Sequence, residues 1–176
     1  MPYESKAIAN YFIDLAAREG KPLTPMKLQK LIYFAHGWNL AIHDKPLIDE
    51  QVEAWKFGPV VNTIYHEFKH FGSQPVKGHA TDIRLNEADI LNFRIITPEI
   101  NSDDVDTKAL LDKVWEIYGK YSAIQLSNAT HQPGTPWEKT WGSDGVPTGT
   151  DINQDIIKKF FVDLANESRL TQQATN

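Results

Sequence analysis

Apolar residues recur at helical spacing along most of this chain. Ala7, Ile8, Tyr11, Phe12 and Leu15 mark a first helix, which Gly20 ends. Thr24-Pro25 reads as an N-cap followed by proline at the first helical position, where the missing N–H leaves nothing unsatisfied. Leu28, Leu31, Ile32, Ala35 and Trp38 form the buried stripe of a second helix, and Asp44-Lys45-Pro46 is a turn. Residues 52–57 alternate as a short strand does. Gly58-Pro59 breaks that strand and starts a third helix, with Val61, Ile64, Tyr65, Phe68 and Phe71 as its stripe and Gly72 as its stop.

Residues 73–97 are the least legible. Asn86-Glu87-Ala88-Asp89 suits the cap of one or two helical turns, and 93–97 suits a strand. From Asp106 onward, Leu110, Leu111, Val114, Trp115 and Tyr118 mark a long amphipathic helix. Ser122-Ala123-Ile124-Gln125 is a capping box, and Thr135-Pro136-Trp137-Glu138 repeats that logic for a short helix reaching Trp141. Ile152, Ile156, Ile157, Phe160, Phe161 and Leu164 build a last helix behind the loop 142–151. The pattern predicts a mainly α fold: a single compact helical domain over residues 1–170, with six to seven helices and one small β element. The polar tail 171–176 is expected to fray.

Composition narrows the function. With 176 residues the chain is long enough to bury a core without staples, and it has no cysteine for disulfides, thiolate metal sites or thiol nucleophiles. That suits a cytoplasmic protein. No basic-then-apolar leader and no apolar run of membrane-spanning length is present. A formal charge of −5 argues against a broad nucleic-acid-binding surface, because phosphate affinity rests on Lys and Arg. Phosphate-cradling glycine loops are absent as well.

Two motifs compete. His66-Glu67-Phe68-Lys69-His70 matches H-E-x-x-H, in which two imidazoles one helical turn apart hold zinc and the glutamate activates a bound water. The context weakens the match. Gln74 and Val76 stand where the extended zinc-protease pattern needs Gly and a third His, and the apolar stripe turns both histidines toward solvent. Two exposed helix histidines is the plainer reading. His36 reads as a core-edge residue. Ser127, Thr130 and His131 suggest a nucleophile–base group, but no G-x-S-x-G elbow supports it, so a structural hydrogen-bonding role is favoured.

The second motif is Glu53-Ala54-Trp55-Lys56-Phe57-Gly58-Pro59-Val60. It follows residues 23–38, LTPMKLQKLIYFAHGW, and Lys45-Pro46-Leu47. It precedes Tyr65, Phe68 and Gly72, then Leu126-Ser127, Thr130-His131 and Pro136-Trp137. In this order the pieces resemble the Panacea domain, a family of antitoxin-like and phage-associated proteins. The likeness spans most of the chain and gives no reason to expect metal ligands at His66 and His70.

The resemblance implies a non-enzymatic antitoxin without a cofactor. It would neutralise a cognate protein toxin, encoded by an adjacent gene and expected to inhibit translation, by direct contact. Delivery of the toxin to a protease, or DNA-binding autoregulation, are the alternatives it leaves open, with a zinc hydrolase behind them. An acidic antitoxin would be drawn electrostatically to a basic toxin. Lys27 and Lys30 lie off the apolar stripe of the second helix and are expected to face solvent, as is Lys56; with Trp55 and Phe57 they are the candidate partner-binding residues. Against this, Trp55 alternates with core positions, and Gly58-Pro59 needs special backbone geometry, so the block also reads as structural.

Overall fold

The computed structural model describes residues 1–86 and 89–174. Among them are seven α-helices and two small antiparallel hairpins, so the expected mainly helical fold is what forms. The helices are α1 (Ser5–Arg18), α2 (Pro25–His43), α3 (Asn62–Phe68), α4 (Val105–Tyr118), α5 (Ala123–Thr130), α6 (Pro136–Trp141) and α7 (Gln154–Ala174). The strands are β1 (Glu53–Trp55) with β2 (Gly58–Val60), and β3 (Asp82–Asn86) with β4 (Asp89–Ile96). No helix among the described residues is long and apolar enough to cross a membrane.

Local sequence signals set most of the helix starts. Thr24 caps α2 by accepting from the Lys27 N–H, with Pro25 at the first position. Ser122 and Gln125 form the complete capping box on α5, and Thr135 caps α6. Asp104, two residues ahead of the expected start, caps α4. The last helix runs to Ala174, into the segment expected to fray.

The second helix is the axis of the molecule. It touches α1, α3, α4, α5, α7 and β2, and every residue from Leu28 to Gly37 is buried. The predicted five-residue stripe therefore understates it, because a helix ringed by others has no solvent face. Two of its buried polar groups, Gln29 and Asn39, find backbone partners near its two ends. Gln29 Nε2 donates to Val61 O at 2.9 Å and Gln29 Oε1 accepts from Val61 N at 2.9 Å; Asn39 Nδ2 donates to Lys45 O at 2.7 Å. Only a glycine fits at position 37, where an added Cβ would lie 2.1 Å from the Phe161 ring of α7. Phe161 in turn meets Tyr33, Phe34 and Trp38 edge-on.

Four expectations need correcting. Gly58-Pro59 does not open a helix: it begins β2, paired through Trp55↔Gly58 and Ala54↔Pro59, and α3 starts at Asn62. Proline is tolerated there because β2 is an edge strand. Tyr65 is exposed rather than part of the core stripe. Helix α3 stops at Phe68 and passes into a single 3-10 turn, Lys69–Phe71, so His66 and His70 do not share one α-helix. Asn86 and Asp89 lie in strands instead of capping a helical turn; Glu87 and Ala88 fall outside the described residues. The strand expected at 93–97 is the second half of β4.

The β3–β4 hairpin is rooted on α1 by Asn10, which bonds the Ala80 backbone both ways and donates to Pro98 O. Lys6 adds ion pairs to Asp82 at 2.5 Å and Glu67 at 3.2 Å. Strand β1 gains a neighbour from the loop before α7, where Ala54 N donates to Thr150 O and Ile152 N to Val52 O.

Candidate functional site

The tip of the β1–β2 hairpin, residues 55–59, is gripped by its carbonyls. Trp137 Nε1 on α6 donates to Trp55 O at 2.7 Å, and His131 Nε2 lies 3.4 Å from Lys56 O. Phe57 O accepts from Lys30 Nζ at 2.8 Å and from Ser127 Oγ at 3.1 Å, and Pro59 O accepts from the same Lys30 Nζ at 3.0 Å. A two-residue turn ordinarily gives such carbonyls to water. Here four side chains, from α2, α5, α6 and the residue that ends α5, fix them, so the exposed side chains of the turn project from a rigid base.

Glycine at position 58 is required by this closeness. Its φ is +102°, and an added Cβ would lie 2.6 Å from Lys30 Nζ and 2.8 Å from Thr130 Oγ1. Thr130 Oγ1 donates to Ser127 O at 2.7 Å, and His131 Nδ1 lies 2.6 Å from that carbonyl. Ser127 gives its hydroxyl proton to Phe57 O and not to His131. These three residues serve as a scaffold, the structural role favoured from sequence.

Lys30 corrects an expectation. Its side chain is 1% exposed, and burial pushes its amine down to about 7. It is the floor of the site and not part of an open face. Lys27 is half-buried on another side of α2, donating to Gly119 O at 2.6 Å with its amine 5.8 Å from the centre of the Trp115 ring. Burial lowers its pKa too.

Above Lys30 opens a groove of about 460 Å³ between the start of α2, the hairpin and α3. It brings together Lys30, Trp55, Lys56 and Phe57, four of the five candidate residues, and leaves Lys27 out. Sequence reasoning missed Met26, Tyr65 and Lys69, which complete the walls. Phe57 is 64% exposed, Tyr65 packs its ring 4.7 Å from that of Trp55, and Lys56 Nζ stands 5.7 Å from the Phe57 ring. The tip signal was available in Trp-Lys-Phe-Gly-Pro; the α3 wall was not, because Tyr65 sits at a core-like spacing.

The histidine pair has no site around it. His66 and His70 are exposed, His66 Nδ1 lies 3.1 Å from Lys69 Nζ, and Glu67 pairs with Lys6. Among the described residues no cluster of three or more His, Cys, Asp or Glu is arranged to hold a metal.

A second exposed apolar surface lies on the β3–β4 hairpin. On β3–β4 the facing pairs Ile83↔Ile95 and Leu85↔Phe93 share one side of the hairpin, and each of the four exposes more than half of its surface.

The hairpin tip and the side chains that grip it lie inside a segment that matches known proteins. Residues 28–138, more than half of the chain, match the family model described as Antitoxin SocA-like, Panacea domain. The chain belongs to this family. Antitoxin SocA from Caulobacter vibrioides (strain NA1000 / CB15N) is 34% identical over 160 residues, covering 90% of this chain and 82% of that protein. No solved structure matches. In this Panacea domain, the matched segment runs from Leu28 to Glu138, and so contains every side chain that grips the hairpin tip.

Proposed function

We propose that this chain is an antitoxin that neutralises a cognate protein toxin by direct contact at the groove beside the hairpin tip, with no catalysis of its own. Its similarity to Antitoxin SocA over nine-tenths of its length carries the reading. The geometry supports it. Exposed Phe57 and half-buried Trp55 are aromatic anchors of the kind that dominate protein interfaces, and the fixed backbone beneath them lowers the ordering cost of binding. The groove floor holds a tied lysine and backbone carbonyls, with no nucleophile–base pair, which suits a binding surface.

Growth rescue tests this. The adjacent open reading frame, expressed alone, is expected to arrest growth and reduce amino-acid incorporation; co-expression of this chain is expected to restore both. The two proteins should then co-elute as one peak. A harmless neighbour that does not bind would overturn the proposal. Rescue that depends on a cellular protease would instead favour delivery over occlusion, and salt-sensitive binding to the chain's own promoter would add an autoregulatory role.

A further inference from the structure

The groove carries a charge opposite to that of the whole chain. The protein is formally −5, yet the groove walls hold Lys30, Lys56 and Lys69 and no Asp or Glu among the described residues. Two other clefts of comparable size do not share this. One, of about 290 Å³, includes Asp104 and Asp106; the other, of about 390 Å³, includes Glu19, Asp112 and Glu116.

The lysines are placed differently. Lys56 and Lys69 are exposed at the rim. Lys30 lies beneath, its Nζ held by the Phe57 and Pro59 carbonyls with no carboxylate beside it. The rim charges of Lys56 and Lys69 stand beside apolar walls from Met26, Phe57 and Tyr65, which exclude water and strengthen their field within the cleft.

We infer that this groove takes an acidic, apolar-anchored segment of its protein partner, with Leu- or Phe-like side chains against Met26, Phe57 and Tyr65 and carboxylates at Lys56 and Lys69. This rests on the antitoxin reading for the identity of the partner, but not for the chemistry of the groove. It also reverses the expectation drawn from net charge. A toxin that is basic overall would still need an acidic stretch to fill this cleft, since a basic one would meet the like charges of Lys56 and Lys69 beside apolar walls.

Two measurements decide it. First, full-length protein is titrated with capped peptides of identical Leu and Phe spacing, one flanked by glutamates and one by lysines. The glutamate peptide should bind about tenfold or more tightly and move the amide signals of Lys56, Phe57 and Lys69. Equal binding, preference for the lysine peptide, or shifts confined to the β3–β4 hairpin would overturn the inference.

Second, the adjacent gene product is titrated against Lys56→Glu/Lys69→Glu, Lys56→Arg/Lys69→Arg and Ile83→Asp/Phe93→Asp. The glutamate variant should lose about tenfold or more in affinity while the arginine variant keeps it; both sites are exposed, so the fold is spared. A neighbour whose affinity falls only with the Ile83→Asp/Phe93→Asp variant would overturn the groove as its site and leave the antitoxin reading standing. A glutamate peptide that binds as expected beside a neighbour that does not bind would support the groove chemistry and remove the antitoxin reading.

Discussion

Lys30 and Phe57 are joined by a hydrogen bond from a buried side-chain amine to a backbone carbonyl, 2.8 Å long, under the most exposed aromatic residue of the groove. The ring of Phe57 faces solvent while its carbonyl is held from below by Lys30 and from α5 by Ser127. Rigidity and exposure thus coincide in one residue. A surface aromatic on a loose turn would lose side-chain and backbone freedom on binding; here part of that loss has already occurred on folding.

The buried amine has a signature in solution. Burial holds Lys30 near 7 in the folded protein, against 10.5 for an ordinary lysine. Between those values the unfolded chain binds more protons than the folded one, so stability rises with pH; below the folded value both forms are charged and this contribution is flat. Urea midpoints should therefore climb from about pH 7 to about pH 9. Lys30→Met should remove most of that slope. A residue of it should survive, because Lys27 is also depressed by burial and acts with the same sign. An unchanged slope in Lys30→Met would show that the lysine is not buried as described.

Glycine 58 should tolerate no side chain. Gly58→Ala adds a Cβ within 2.6 Å of Lys30 Nζ at a φ of +102°, and backbone strain alone costs about 1–3 kcal/mol. Lys30 Nζ is tied to two carbonyls, so moving it breaks the grip on the tip. Gly20→Ala is the control, since it also has positive φ, +61°, but nothing within 4 Å. The expected order of urea midpoints is wild type, Gly20→Ala, then Gly58→Ala, with loss of partner affinity only in the last.

The contrast between Lys30 and the caps explains what could be read from the chain. Thr24, Ser122 and Thr135 act on an N–H three residues away, so the cap is written within one turn. Lys30 is held by carbonyls 27 and 29 residues further on, and periodicity along α2 alone assigns it to solvent. Trp55, Lys56 and Phe57 nevertheless meet in one groove because the tip motif is contiguous in sequence, and Lys30 joins them from beneath. The β3–β4 hairpin was hidden for the opposite reason. Ile83, Leu85, Phe93 and Ile95 alternate as strand residues do, but their shared face covers no core and so matches no packing pattern.

His36 should prove a net cost to stability. It is fully buried on α2, and neither ring nitrogen has a hydrogen-bond partner. Burial pushes its value down to about 4 from 6.5. Stability should fall as the pH drops from about 6.5 toward about 4, where the unfolded chain takes up a proton that the folded one refuses. His36→Leu should flatten that limb and raise stability at neutral pH by about 1–2 kcal/mol, since it removes polar atoms that lose hydration without compensation. A His36→Leu protein less stable than wild type would mean that the imidazole has a partner, such as a buried water.

The packing of α2 on α7 gives the sharpest test of the core. Alanine usually improves a helical glycine by about 1 kcal/mol, but Gly37→Ala would place its Cβ 2.1 Å from the Phe161 ring. The clash should reverse the sign and cost about 1–3 kcal/mol, the range for overpacking. Phe161→Ala alone should cost about 3–5 kcal/mol, because it empties the space between Tyr33, Phe34 and Trp38. In the double variant the new methyl enters that space, so the combined loss should be smaller than the sum of the two. Measured by urea unfolding, a strictly additive pair would show that Gly37 and Phe161 are not in contact, and that α7 lies differently on the central helix.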